Sequence, residues 1–290
     1  MEVVNKIINK VKIFMEMIKF EHTIFALPFA YLGAFLAYQG LPPAIKLFWI
    51  TLAMVGARTA AMALNRIIDR HIDKLNPRTA TRAIPSGQLS VLEGWIYVFL
   101  SFGLLFVAAV QLNPLCVKLM PVAVFVLVIY SYMKRISWTC HLVLGIAIGL
   151  APLGSWVAIT GKIEFAGILL ALAVAFWVAG FDIIYATQDL SFDKKQGLHS
   201  IPVRFGNKIG FNISRCFHVI APILLILLGV IQGLGLLYYL GVLAAIGLLY
   251  YEHRLVGPGD LTNIDMAFFN MNGYLSSLMF LFALLDLILF

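Results

Sequence analysis

Residues 165–193 run FAGILLALAVAFWVAGFDIIYATQDLSFD. The first part stays apolar for long enough to cross the hydrocarbon core of a bilayer, which takes about 20 helical residues. The stretch then ends in Asp182, Tyr185, Asp189 and Asp193, polar side chains that recur every three or four positions. On a helix this spacing stacks them on one face. A membrane span that runs out into a stripe of carboxylates sets the fold class: all-α, polytopic, with its chemistry at the water boundary.

The rest of the chain agrees. Of 290 residues 62% are hydrophobic and 12% charged, and the mean hydropathy is +0.95. A soluble domain carries roughly twice that charged fraction. Nine apolar segments of roughly 17–25 residues are expected to span the membrane. They centre near Ala30, Ala53, Leu100, Phe125, Ile148, Val174, Leu224, Ala244 and Phe280, packed around a central cavity. Pro42-Pro43, Asn113-Pro114, Gly161 and Gly233-Leu234-Gly235 punctuate them. The chain reads as one integral-membrane domain over residues 1–290.

Residues 1–20 lack the apolar core and small-residue flanks of a cleavable signal peptide. Val4, Ile7, Ile8, Val11, Phe14, Met15 and Ile18 instead fall on one helical face, with Lys6, Lys10 and Glu16 mostly elsewhere. This pattern fits an interfacial amphipathic helix and equally a helix packed on the protein itself. Cys116, Cys140 and Cys216 are scattered among apolar runs without metal-ligand spacing, and read as small packing residues.

Charge orients the spans. Of the 21 Lys and Arg, Lys46, Lys118 and Lys162 fall on the side opposite the N-terminus, and Arg58 lies inside the second span. All the others, including Lys19, share the N-terminal side. The positive-inside rule puts that side in the cytoplasm of a cell (inner) membrane protein. The net charge of +7 is therefore a topology signal. No basic-aromatic interleaving accompanies it, so nucleic acid is not an expected partner.

A second acidic stretch, residues 65–73, reads NRIIDRHID and follows the second span on the same side. Asn65 and Tyr185, Asp69 and Asp189, and Asp73 and Asp193 are each 120 positions apart, as a duplicated helical block would place them. Ionised carboxylates at the ends of apolar helices are costly unless paired or metal-bound. Two opposed groups of them attract a hard divalent cation such as Mg²⁺, which uses one or two carboxylates together with substrate phosphates. The alternative is a set of solvated charges pairing with nearby Arg and Lys. Two motifs at one spacing on one face argue against it.

Arg58 precedes Asn65 by two helical turns and shares its face. It suits a diphosphate or an acceptor carboxylate, or else a structural ion pair. Arg78 and Arg82 follow the first acidic stretch, and Lys194, Lys195, His199 and Arg204 the second. These residues fit a cap that holds diphosphate oxygens, although topology alone also accounts for most of them. Lys134 and Arg135, close to the membrane boundary, are better candidates. His199 suits a loop hydrogen bond more than proton relay.

The two stretches resemble the two signatures of the UbiA-type intramembrane aromatic prenyltransferases, and the likeness extends over nearly the whole chain, including Tyr130-x-x-x-Lys134-Arg135. The resemblance implies a nine-helix bundle around a central cavity, with cytoplasmic caps after spans two and six. It implies Mg²⁺-dependent transfer from a polyprenyl diphosphate to an aromatic acid such as 4-hydroxybenzoate, in quinone biosynthesis; a dihydroxynaphthoate of menaquinone biosynthesis is the alternative acceptor. Asn65, Asp69 and Asp73 match the first metal-diphosphate motif. Asp189 and Asp193 match the second, with Asp182 and Tyr185 nearby. The expected chemistry is electrophilic aromatic substitution in a water-excluding bundle, the polyprenyl tail lying along apolar helix faces in contact with the bilayer. An ion or proton transporter is the competing class, but its polar residues belong at the midplane and on broken helices.

Overall fold

The computed structural model describes residues 2–18 and 21–289. Thirteen α-helices follow in order: α1 (Glu2–Met17), α2 (Glu21–Tyr38), α3 (Ala44–Ile68), α4 (Arg70–Leu75), α5 (Val91–Leu112), α6 (Pro114–Ile136), α7 (Cys140–Thr160), α8 (Phe165–Ala186), α9 (Leu190–Lys195), α10 (Ile201–Phe205), α11 (Asn207–Gln232), α12 (Leu236–Leu255) and α13 (Asn272–Leu289). A π-helical turn, Met266–Met271, leads into α13. Eight of the described helices are long and apolar enough to cross a membrane: α3, α5, α6, α7, α8, α11, α12 and α13. The first of the nine expected spans falls in α2, whose described apolar stretch, Leu27–Tyr38, is shorter.

Local chemistry sets the helix ends. Ser90 and Glu93 form a reciprocal capping box at the start of α5. Asn113 accepts from the Cys116 N–H to cap α6, with Pro114 at its first position. Gly161 and Gly233, at φ 68° and 65°, end α7 and α11 in the left-handed region where a Cβ is unfavourable.

Helix α8 runs through the middle of the bundle. Leu170, Val174, Trp177 and Val178 on it join Leu32 and Leu36 of α2, Trp156 of α7, Leu228 of α11, Val242 of α12 and Met279 of α13 in one buried core. Helix α7 packs closely against it. A Cβ on Gly145 would lie 2.2 Å from the Ala175 carbonyl oxygen, and one on Gly149 would lie 2.5 Å from that of Ala171. Small residues four apart let two backbones meet, which is how helices associate where lipid supplies no hydrophobic drive. Gly145→Leu should therefore force α7 from α8 and cost about 1–3 kcal/mol. A melting temperature in detergent equal to that of the wild type would count against this packing.

Helix α1 packs on the protein. Phe14 stacks on Tyr97 of α5 with ring centroids 3.7 Å apart, Met17 and Ile18 are buried with it, and Lys10 pairs with Glu93. Val11, on the expected apolar stripe, is exposed. The side chains of Val4, Lys6, Ile7 and Ile8 lie outside the described residues, as does Lys19.

Candidate active site

Both acidic stretches interrupt their helices at the last aspartate but one. Helix α3 ends at Ile68 and α4 begins at Arg70; α8 ends at Ala186, a 3₁₀ turn spans Thr187–Asp189, and α9 begins at Leu190. Asp69 has φ −87°, ψ 1° and Asp189 has φ −96°, ψ 7°. Both sit in the sparsely allowed bridge between helix and strand, where active-site residues recur. Each stretch is thus two helical segments joined by a bend at that aspartate, and the bonds from Asp69 N–H to Asn65 O and from Asp73 N–H to Asp69 O keep the four-residue register across the first junction. The last aspartate of each stretch, Asp73 and Asp193, is buried.

The two bends meet at one end of the bundle. Arg78, in the loop after α4, donates from Nε to Asp189 Oδ1 at 3.0 Å, from Nη2 to Oδ2 at 2.5 Å, and from Nη1 to the Tyr185 hydroxyl at 3.2 Å. Asn76 adds a 3.0 Å bond to the same carboxylate. Arg82 Nη1 bonds both oxygens of Asp73 at 2.7 and 2.8 Å. The adjacent pair at the end of α6 divides between the motifs: Lys134 reaches Asp193 at 3.1 Å and Arg135 reaches Asp69 at 2.8 Å. Asn65 donates to Asp69 at 2.9 Å. Burial pushes the Asp69 carboxyl above the usual carboxylate range, against the opposing pull of Arg135.

Asp182 takes a different partner, His141 Nδ1 at 2.6 Å. Lys194 is exposed and its side chain makes no hydrogen bond or ion pair among the described residues, so it stays apart from the cluster. His199 takes part through its backbone, its N–H donating to the Lys134 carbonyl at 2.7 Å, while its side chain is exposed. The pairing of acids with Arg and Lys expected of solvated charges does occur, but Asp73, Asp189 and Asp193 are buried.

Beneath the cluster lies a cavity of about 630 Å³. Arg58, Arg66, Arg78, Arg82, Asp182 and Tyr185 line its polar part, and Phe29, Trp177 and Phe181 its aromatic wall. Asp182 is the one acid of the two motifs on that lining; Asp189 and Asp73 stand behind Arg78 and Arg82. Arg58 also borders an apolar chamber of about 360 Å³ between α3, α5, α6 and α7. Its Nε is buried without a hydrogen-bond partner, and no ion pair to it occurs among the described residues.

Nothing in the sequence marks His141 or Asn76 as a site residue, and Arg135 stands out there only beside Lys134. The partner of His141 is 41 residues away, and no spacing rule reaches that far.

A helical membrane bundle with two matched acidic bends, clamped by basic side chains over an aromatic-walled cavity, has the architecture of an intramembrane prenyltransferase. Residues 26–277 match the model of the UbiA prenyltransferase family, and the chain belongs to that family. It is 32% identical over 254 residues to the 4-hydroxybenzoate octaprenyltransferase of Francisella tularensis subsp. novicida, covering 87% of this chain and 88% of that one. It is 30% identical to that of Photobacterium profundum, over 94% and 96% of the two chains. The apo structure of a UbiA homolog from Aeropyrum pernix K1 superposes with TM-score 0.84 at 33% identity, over 92% of this chain and 98% of that one. A UbiA homolog from Archaeoglobus fulgidus, bound to GPP and Mg²⁺, shares the fold with TM-score 0.72 at 19% identity, over 93% and 99%. The protein is a multi-pass membrane prenyltransferase, and its family membership answers the transporter reading.

Proposed function

We propose that the protein transfers a polyprenyl group from its diphosphate to 4-hydroxybenzoate, at the cytoplasmic face of the cell membrane. The observation that carries this reading is the cluster of paired acids and bases roofing a cavity that contains the unpartnered Arg58. The names of the relatives at 30–32% identity support the acceptor.

Asn65, Asp69, Asp73, Asp189 and Asp193 offer the hard oxygen donors that Mg²⁺ prefers. Among the described residues no three acidic, His or Cys side chains already converge on one point. The donor set therefore fits a cation shared with phosphate oxygens better than an all-protein cage. Bound Mg²⁺ supplies neutralisation of the charge that builds on the leaving diphosphate.

In the ligand-free protein Arg78, Arg82, Lys134 and Arg135 neutralise the carboxylates themselves. With donor present they would turn to phosphate oxygens and leave the carboxylates to hold the cation, so no buried charge would be stranded. Arg58 holds the acceptor carboxylate with its planar donors. Phe29, Trp177 and Phe181 exclude water from the allylic cation and present ring faces to it. The ring carbon beside the phenol oxygen attacks the allylic carbon.

The test incubates the purified protein and Mg²⁺ with one polyprenyl diphosphate and a panel of aromatic acids, read by mass spectrometry. Prenylated 4-hydroxybenzoate is expected. Product from a dihydroxynaphthoate and none from 4-hydroxybenzoate would overturn the acceptor assignment.

A further inference from the structure

Four of the five motif aspartates face a permanent cation: Asp69 faces Arg135, Asp73 faces Arg82, Asp189 faces Arg78 and Asp193 faces Lys134. Asp182 is the exception, and it is also the one that lines the cavity. Its partner His141 is 1% exposed, in the first turn of α7. The Ile201 N–H donates to His141 Nε2 at 3.3 Å. Nδ1 carries a proton and gives it to Asp182 Oδ2, 2.6 Å away. The ring is fixed at both ends.

The consequences for Asp182 are specific. One oxygen is held by the ring, and no hydrogen bond to the other, Oδ1, occurs among the described residues. A general base needs such a free oxygen toward the substrate.

We infer that Asp182 is the base that takes the ring proton and that His141 is the residue that positions it; the inference rests on the prenyl-transfer reading above. The donor C–O bond breaks and its electron pair leaves on the diphosphate. A ring electron pair forms the new carbon–carbon bond. The C–H bond at that carbon then breaks, its electrons restore the aromatic ring, and the proton goes to Asp182 Oδ1, giving a neutral carboxylic acid. His141 keeps its own proton throughout and sets only which oxygen faces the ring.

Two substitutions separate this role from a structural one. In His141→Asn the amide nitrogen falls where Nδ1 lies, so the bond to Asp182 survives and the one from Ile201 is lost. In His141→Gln the amide falls near Nε2, so the Ile201 bond survives and Asp182 loses its donor. The full-length proteins are assayed with Mg²⁺, a polyprenyl diphosphate, and 4-hydroxybenzoate carrying hydrogen or deuterium at both ring positions beside the phenol oxygen. His141→Asn should lose far less kcat than His141→Gln, because it keeps the bond to Asp182. His141→Gln should lose about tenfold to a hundredfold in kcat, with the acceptor KM little changed. It should also gain a primary deuterium isotope effect that the wild type lacks, because proton removal has become slow. A wild-type rate in His141→Gln, or equal losses in both variants without an isotope effect, would overturn the inference and leave His141 as an anchor for α10. A wild type that prenylates no aromatic acid would overturn the underlying reading, a distinct failure.

Discussion

Asp69→Asn and Asp189→Asn should each lower prenyl transfer by about a thousandfold, while the protein still folds. The two residues occupy the same bend in the two motifs, and each is tied to an arginine from another element. Asparagine keeps the shape but removes the charge that a divalent cation requires. The stranded partners, Arg135 and Arg78, have side chains 34% and 35% exposed, so water takes over much of their solvation and folding survives. Rates at saturating donor and Mg²⁺, read beside melting temperatures, check this. Losses below tenfold in both variants would remove the bends from the chemistry.

The second large effect belongs to Arg58. Its Nε is buried without a partner where the polar cavity meets the apolar chamber, as befits a group waiting for an anion. Arg58→Ala should cut kcat/KM for the aromatic acid about a hundredfold, since a buried charge pair that loses one member forfeits several kcal/mol. The donor KM should move little. Arg58→Lys should recover part of the loss, because a point charge replaces a planar fork. Acceptor and donor kinetics on the two variants decide it. A rise confined to the donor KM would move Arg58 from the acceptor to the diphosphate.

Much of this arrangement is legible in the order of residues alone. The apolar run from Phe165 into Asp182, and the repeat at 120 positions, follow from periodicity. Periodicity reports an unbroken helix, however, and so it misses the bends at Asp69 and Asp189, which are made by tertiary contacts rather than by Gly or Pro. Lys134 and Arg135 stand out for their place at a membrane boundary. That one serves each motif depends on how α6 sits between them, and no local pattern encodes this. His141 lies among apolar residues in a sequence that gives it no motif, and its meaning comes from Asp182 and Ile201 across the fold. The fit of Gly145 against Ala175 is likewise hidden, because a Gly-x-x-x-Gly pattern gains sense only when the facing helix is known.

The central claim is that the two matched bends together hold the donor diphosphate through a divalent cation. Its most direct measurement is equilibrium binding of a prenyl thiolodiphosphate, a donor whose C–S bond resists ionisation, to the wild type and to Asp69→Asn and Asp189→Asn. Binding should require Mg²⁺, vanish with EDTA, and be lost in each variant alone. Binding of equal strength with EDTA present, or retained in both variants, would contradict the claim.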